Sequence, residues 1–245
     1  MKKLFALVCV LLVTSMVSAG IIFQDTFENK TAGTNLAHYD VPTTGAHYWL
    51  NLGNTAGAAT YQNDGGNMVL KADRTGGKYV FSQTYTGGPE ATVVAGAEFK
   101  FSYDWKSDGT LWSGPSVNFN FGGTASGGAF SYAGGYSYYV NGAWYGTAPA
   151  GNVWYNVAYV VRAGAASGGY VPINYDVYVN NTKIASNIAG SSAAVGSNPR
   201  LDMYVVGANG VVLYDNITIE SVPEPATIAI ISVGALSLLR RKKTS

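Results

Sequence analysis

Apolar and polar residues alternate at every second position through much of the stretch between residues 21 and 221. Along 97–105, Phe99, Phe101, Tyr103 and Trp105 fall on one side and Glu98, Lys100, Ser102 and Asp104 on the other. That period predicts a half-buried antiparallel strand. Val117, Phe119 and Phe121 alternate with Asn118 and Asn120, and Val153, Tyr155, Val157, Tyr159 and Val161 form another such face. Ile173, Tyr175, Val177 and Val179 make a third, running into Asn180-Asn181 as a hairpin turn before Lys183-Ile184. Further strands are predicted at 79–83, 201–206 and 211–220, whereas 122–151 reads as Gly-, Tyr-, Ala- and Ser-rich loops joining strands around 137–140 and Trp144.

No long apolar run at helical spacing interrupts this series. Strands joined by local turns predict an all-β antiparallel β-sandwich, a jelly roll, flanked by an N-terminal signal helix and a short C-terminal transmembrane helix.

The two ends depart from the pattern. Lys2 and Lys3 precede an apolar run, and Val17-Ser18-Ala19 then presents the compact residues that signal peptidase requires, which predicts cleavage between Ala19 and Gly20. At the other end, Val222-Pro223-Glu224-Pro225 leads into the apolar run 226–239 and the basic cluster Arg240-Arg241-Lys242-Lys243. As a helix that run would rise about 21 Å against a hydrocarbon core of roughly 30 Å, a marginal membrane anchor. The basic cluster should remain cytoplasmic, placing the preceding chain outside, and the two prolines keep Glu224 extended and accessible to a processing enzyme.

These parts give three units: residues 1–19 as a signal peptide, 20–221 as the sandwich and 222–245 as the anchor. Within 21–221, nine basic residues face thirteen acidic ones, a net charge of −4 with no basic stripe. Such a domain lacks the electrostatic footprint of a nucleic-acid binder. The single cysteine, Cys9, lies in the leader, so the exported domain has no disulfide. With 47% hydrophobic residues and 18 tyrosines, core packing must stabilise it instead.

The C-terminal arrangement resembles the PEP-CTERM sorting signal, carried by Pro223-Glu224-Pro225, the segment 226–239 and the basic stop 240–243. The resemblance implies recognition and cleavage by a membrane exosortase and delivery to the cell surface or extracellular polysaccharide matrix; the residues alone also fit a plain tail anchor.

Four stretches of the middle resemble the concanavalin-A-like lectin and glucanase superfamily, which includes laminin-G-like domains. They are Phe23-Gln24-Asp25-Thr26-Phe27-Glu28, Val153-Trp154-Tyr155-Asn156-Val157, Tyr175-Asp176-Val177-Tyr178-Val179-Asn180-Asn181 and Tyr214-Asp215-Asn216-Ile217-Thr218-Ile219. Glucanases of this kind place catalytic carboxylates at alternate positions of one strand, and no such pattern occurs in this chain. Glu98, Asp104 and Glu90 read as solvated residues, and His38, Asp40 and His47 form a metal or catalytic pattern only if a third partner exists. Asp25, Glu28 and Asp215 sit on the first and last strands, which lie side by side in the superfamily, and so are candidate ligands for a structural calcium. Trp49, Trp112, Trp144, Tyr132, Tyr136, Tyr138 and Tyr145 are candidates for stacking on sugar rings, against the plainer reading of core packing. The three Asn-x-Thr sequons, at Asn29, Asn180 and Asn216, are incidental beside a bacterial-type tail.

The expectation is a non-enzymatic surface or matrix protein whose sandwich mediates adhesion or carbohydrate contact. A polysaccharide hydrolase or lyase on the same fold and a ligand-free structural matrix protein remain the alternatives.

Overall fold

The computed structural model describes residues 20–37, 40–43, 48–51, 56–75, 81–85, 92–109, 114–121, 124–132, 136–206 and 210–222. The signal peptide and most of the sorting tail, with the helices expected there, lie outside the described residues, as do His38, His47, Glu90 and Trp112.

The described residues include seventeen strands. The first ten are β1 (Ile21–Asp25), β2 (Tyr48–Asn51), β3 (Ala59–Asp64), β4 (Asn67–Asp73), β5 (Phe81–Tyr85), β6 (Glu98–Ser107), β7 (Gly114–Phe121), β8 (Thr124–Tyr132), β9 (Tyr136–Val140) and β10 (Ala143–Tyr145). The remainder are β11 (Tyr155–Ala163), β12 (Tyr170–Val171), β13 (Ile173–Val179), β14 (Thr182–Ala189), β15 (Ala193–Ala194), β16 (Pro199–Val206) and β17 (Val211–Val222). One large sheet runs β14-β13-β11-β6-β17-β4-β3 with β1 also on β17, a second runs β10-β9-β8-β7-β16-β5-β2, and β12 pairs with β15. The pairings among the described residues are antiparallel, and the chain passes repeatedly between the two sheets, among other places at β6 to β7, β10 to β11 and β16 to β17.

The alternation fixes which side of each strand enters the core. Phe99, Phe101, Tyr103 and Trp105 of β6 are all buried, and Phe101 stacks on Phe119 of the opposing sheet with ring centres 5.3 Å apart. Phe119 meets Tyr175 edge-on at 4.9 Å, and Trp105 meets Tyr138 at 6.4 Å. These aromatic contacts bind the two sheets face to face as a sandwich.

Buried tyrosines carry polar hydroxyls into that interior, and each must find a partner. Tyr214 donates across to the carbonyl of Tyr204 at 2.7 Å, and Tyr159 bridges β7 and β8 through Val117 and Ala129. Burial and neighbouring hydroxyls push Tyr103 and Tyr159 well above the ordinary tyrosine range, so both remain neutral donors and acceptors.

The Asn180-Asn181 hairpin forms as expected: both residues have positive φ, 47° and 63°, and Val179 pairs with Thr182. Within 122–151 the strands expected around 137–140 and Trp144 are β9 and β10, whereas the loop expectation before them needs correction, because β8 occupies Thr124–Tyr132. Val153 also departs from its predicted face: it precedes β11 and is exposed. At the chain ends, β1 lies on β17, and Ser221 donates its N–H to the carbonyl of Gly20 at 3.0 Å while Gly20 donates to the Ser221 hydroxyl at 3.1 Å.

Candidate functional site

At one margin of the sandwich, where the β9–β10 hairpin meets the end of β14, the two sheets part around a crevice of about 470 Å³. Five separate stretches line it: Asn118 of β7; Gly127, Gly128 and Ala129 of β8; Tyr139 and Asn141 of the β9–β10 hairpin; Tyr175 of β13; and 189–191 at the end of β14. The hairpin turn is Asn141-Gly142, both at positive φ, which lets two residues join Val140 to Ala143. Its Asn141 amide donates to the Ala189 carbonyl at 3.3 Å and ties the hairpin to the other sheet.

Glycine opens the floor. A Cβ on Gly127 would stand 2.6 Å from the Phe119 ring and 2.7 Å from the Tyr175 ring, so any side chain there would collide with the core aromatics. Above the floor, Tyr139 contributes an aromatic wall, and Trp144, its direct cross-strand partner, meets it at 5.0 Å with the rings inclined by 64°. Trp144 is 43% exposed, so this aromatic pair reaches from the crevice to solvent.

None of the described crevice residues carries a formal charge. Burial raises the Tyr175 hydroxyl above its ordinary range, so it is a neutral hydrogen-bonding group near neutral pH. The arrangement offers amide groups, hydroxyls and an aromatic face, which suit hydroxyl-rich neutral ligands. It offers no carboxylate pair for general acid and base work.

The sequence-predicted aromatics separate accordingly. Trp144 does not line the crevice and meets it only through its ring contact with Tyr139. Trp49 is fully buried, packs against Phe23 and Phe27, and donates its indole N–H to Asp25 at 2.7 Å. Tyr138 is also core, 2% exposed against Trp105, because the strand turns Tyr138 inward and Tyr139 outward. Tyr136 and Tyr132 are described only as backbone positions of β9 and β8, and Tyr145 closes β10 half-buried. Tyr139, Asn118 and Asn141 are the crevice residues that sequence reasoning missed; the Asn141-Gly142 dipeptide was the available signal for the turn that positions them.

The proposed calcium carboxylates do not converge on a cation site among the described residues. Asp25 is buried and accepts from the Phe27 N–H at 2.9 Å, the Thr43 hydroxyl at 2.9 Å and the Trp49 indole. Those three donors take most of the roughly four acceptor positions of the carboxylate. Glu28 turns to the Met68 N–H at 3.2 Å, and Asp215 to the Asn216 N–H at 2.7 Å. Asp40, which lies between His38 and His47 in sequence, accepts from Lys30 at 2.6 Å and from the Tyr61 hydroxyl at 2.5 Å; the two histidines lie outside the described residues.

A smaller pocket of about 320 Å³ is lined by Leu213 together with Asp64, Lys71, Lys106 and Asp108. Its charges are spent internally: Lys106 and the Trp154 indole both donate to Asp64, at 2.5 and 3.3 Å, and Lys106 sits 5.2 Å over the Trp154 ring. These contacts join β6 to β3 and leave little unsatisfied chemistry for a ligand.

A family model described as the PEP-CTERM protein-sorting motif matches residues 221–243. No curated protein matches the chain in sequence. Among solved structures, an alginate lyase is similar at 9% identity and a TM-score of 0.49, over 80% of this chain and 95% of its own. An endo-β-1,4-glucuronan lyase from the fungus Trichoderma reesei is similar at 13% identity and a TM-score of 0.44, over 78% of this chain and 95% of its own. The binding domain of botulinum neurotoxin serotype G is similar at 9% identity and a TM-score of 0.48, over 89% of this chain and 51% of its own. With a β-sandwich running to Val222 and the matched motif starting at Ser221, the chain carries a PEP-CTERM sorting signal, which implies export and exosortase-mediated sorting to the cell surface.

Proposed function

We propose that the protein is a non-catalytic, carbohydrate-contacting component of the cell surface or extracellular polysaccharide, released there when an exosortase removes its tail. The crevice carries this reading: its described lining is uncharged, floored by glycine and walled by Tyr139, against which the solvent-exposed Trp144 packs. An aromatic wall takes the C–H face of a sugar ring, while Asn118, Asn141 and the Tyr175 hydroxyl present donors and acceptors to its hydroxyls. The described crevice residues include no carboxylate pair of the kind glycoside hydrolysis calls for, so binding is the reading preferred over hydrolysis.

Titration of the leader-free chain with neutral oligosaccharides, β-1,4-glucan and β-1,3-glucan fragments, and with uronic-acid oligosaccharides tests this directly. Binding of a neutral glycan is expected, nearly independent of salt, with no new reducing ends or unsaturated products after long incubation. Tyr139→Ala should weaken it about tenfold, the scale of one aromatic contact. Product formation would instead favour a hydrolase or lyase, and no binding across the panel would favour a ligand-free matrix protein.

A further inference from the structure

Strand β17 remains paired up to Val222, opposite Glu98, and the apolar run of the tail starts at Ala226. Only three residues separate them, Pro223, Glu224 and Pro225, so the reach from Val222 to Ala226 is at most about 14 Å. The end of the sandwich that holds Val222 is therefore kept close to any membrane into which the tail inserts.

That end carries an unusual share of exposed apolar side chains. Of the seven large hydrophobic residues exposed among the described residues, four are here: Ile21 at 50%, Val94 at 47%, Tyr170 at 57% and Val195 at 45%. Backbone bonds gather them. Ile21 pairs with Glu220 beside Val222, and Ala97, which precedes Glu98, donates to the Val94 carbonyl at 3.2 Å. Gly196 donates to the Val93 carbonyl at 2.8 Å, and Val195 donates to the Gly169 carbonyl, beside Tyr170, at 2.9 Å.

We propose that, while the tail is in place, this end of the sandwich rests on the lipid surface, with Ile21, Val94, Tyr170 and Val195 among the head groups. The proposal rests on the sorting-tail part of the reading above and is independent of glycan binding. Four side chains alone would give weak attachment, but the tail converts docking into an intramolecular step at high effective concentration. A tyrosine and short aliphatic side chains suit the interface, where an apolar body and a polar tip are both accommodated.

The test uses the leader-free full-length chain in vesicles of phosphatidylcholine and phosphatidylglycerol, with single cysteines for spin labels at Val94, Tyr170 or Val195, and at Val153 as the distal control. Removal of the leader takes away Cys9, the one native cysteine. With the protein floating with the vesicles, labels at the first three positions should show at least a twofold higher ratio of oxygen to nickel-complex accessibility than the label at Val153. Equal ratios at all four positions in floating vesicles would overturn the docking while leaving the anchor intact. Failure to float would overturn both through the anchor, and dipolar broadening between labels of separate copies, without the oxygen gain, would replace the lipid surface with a second copy.

Discussion

The Tyr159 hydroxyl donates to the Val117 carbonyl at 3.0 Å, crossing from one sheet into the ladder of the other. The same oxygen accepts from the Ala129 N–H at 3.1 Å, and Val117 and Ala129 are direct partners in the β7–β8 register. A side chain thus satisfies two backbone groups of a neighbouring sheet, and Tyr103 at 3.2 Å supplies the remaining donor. The tyrosine-rich composition finds one of its uses here, as polar ties within an aromatic core.

Replacing that hydroxyl should be costly. Tyr159→Phe keeps the ring but orphans a buried carbonyl and a buried N–H, and should destabilise the fold by about 3 kcal/mol. Urea unfolding checks it, and Tyr139→Phe, altering a half-exposed residue, should cost well under half as much.

Asp215 gives a pH signature. Burial raises its carboxyl to about 6, with the fields of Asp104, Glu28 and Asp25 adding to the rise against the Asn216 N–H. Because the folded value exceeds the ordinary carboxylate value of 3.8, protonation favours the folded state. The contribution from this group is complete below pH 3.8 and fades as pH rises through 6. Asp215→Asn should therefore raise Tm relative to the parent at pH 7.5, and the difference should shrink by pH 5; calorimetry at the two values is decisive, since a pH-independent difference contradicts the assignment.

Gly127→Ala should destabilise by about 1–3 kcal/mol and weaken any crevice ligand, because the new methyl must displace the Phe119 or Tyr175 ring. Chemical denaturation together with ligand titration separates the two effects.

At the Asn180-Asn181 turn, Asn181→Val should cost about 1 kcal/mol, since a β-branched residue resists the positive φ of 63°. Asn181→Gly should be close to neutral by the same measurement.

The strands with full alternation are legible in the sequence alone: Phe99 to Trp105 and Ile173 to Val179 declare their inward faces by period. Strand β8 is not, because its inward position at Gly127 has no side chain, the space being filled by Phe119 and Tyr175. The β3–β4 hairpin also escapes the alternation, although Gly65-Gly66, at φ 67° and 111°, carries its turn signal. For the site, the difficulty is of two kinds. Tyr138 and Tyr139 differ in exposure only through strand parity, which composition cannot reveal, and Trp49 is buried because Asp25 offers its indole a buried acceptor. The crevice itself draws on β7, β8, β9 and β13, and only the crossing of the chain between sheets brings these together.

The placement of β17 has a mechanical meaning. Its last residues lie between β1 and β6 and lead directly into the tail, so a pull on the cell surface through that tail acts along the strand axis. Ladder hydrogen bonds lie across that axis and share the load in shear, instead of opening one after another as they would if the strand were peeled sideways. Until the tail is removed, a protein tethered in this way resists a pull most strongly in the one direction its attachment transmits.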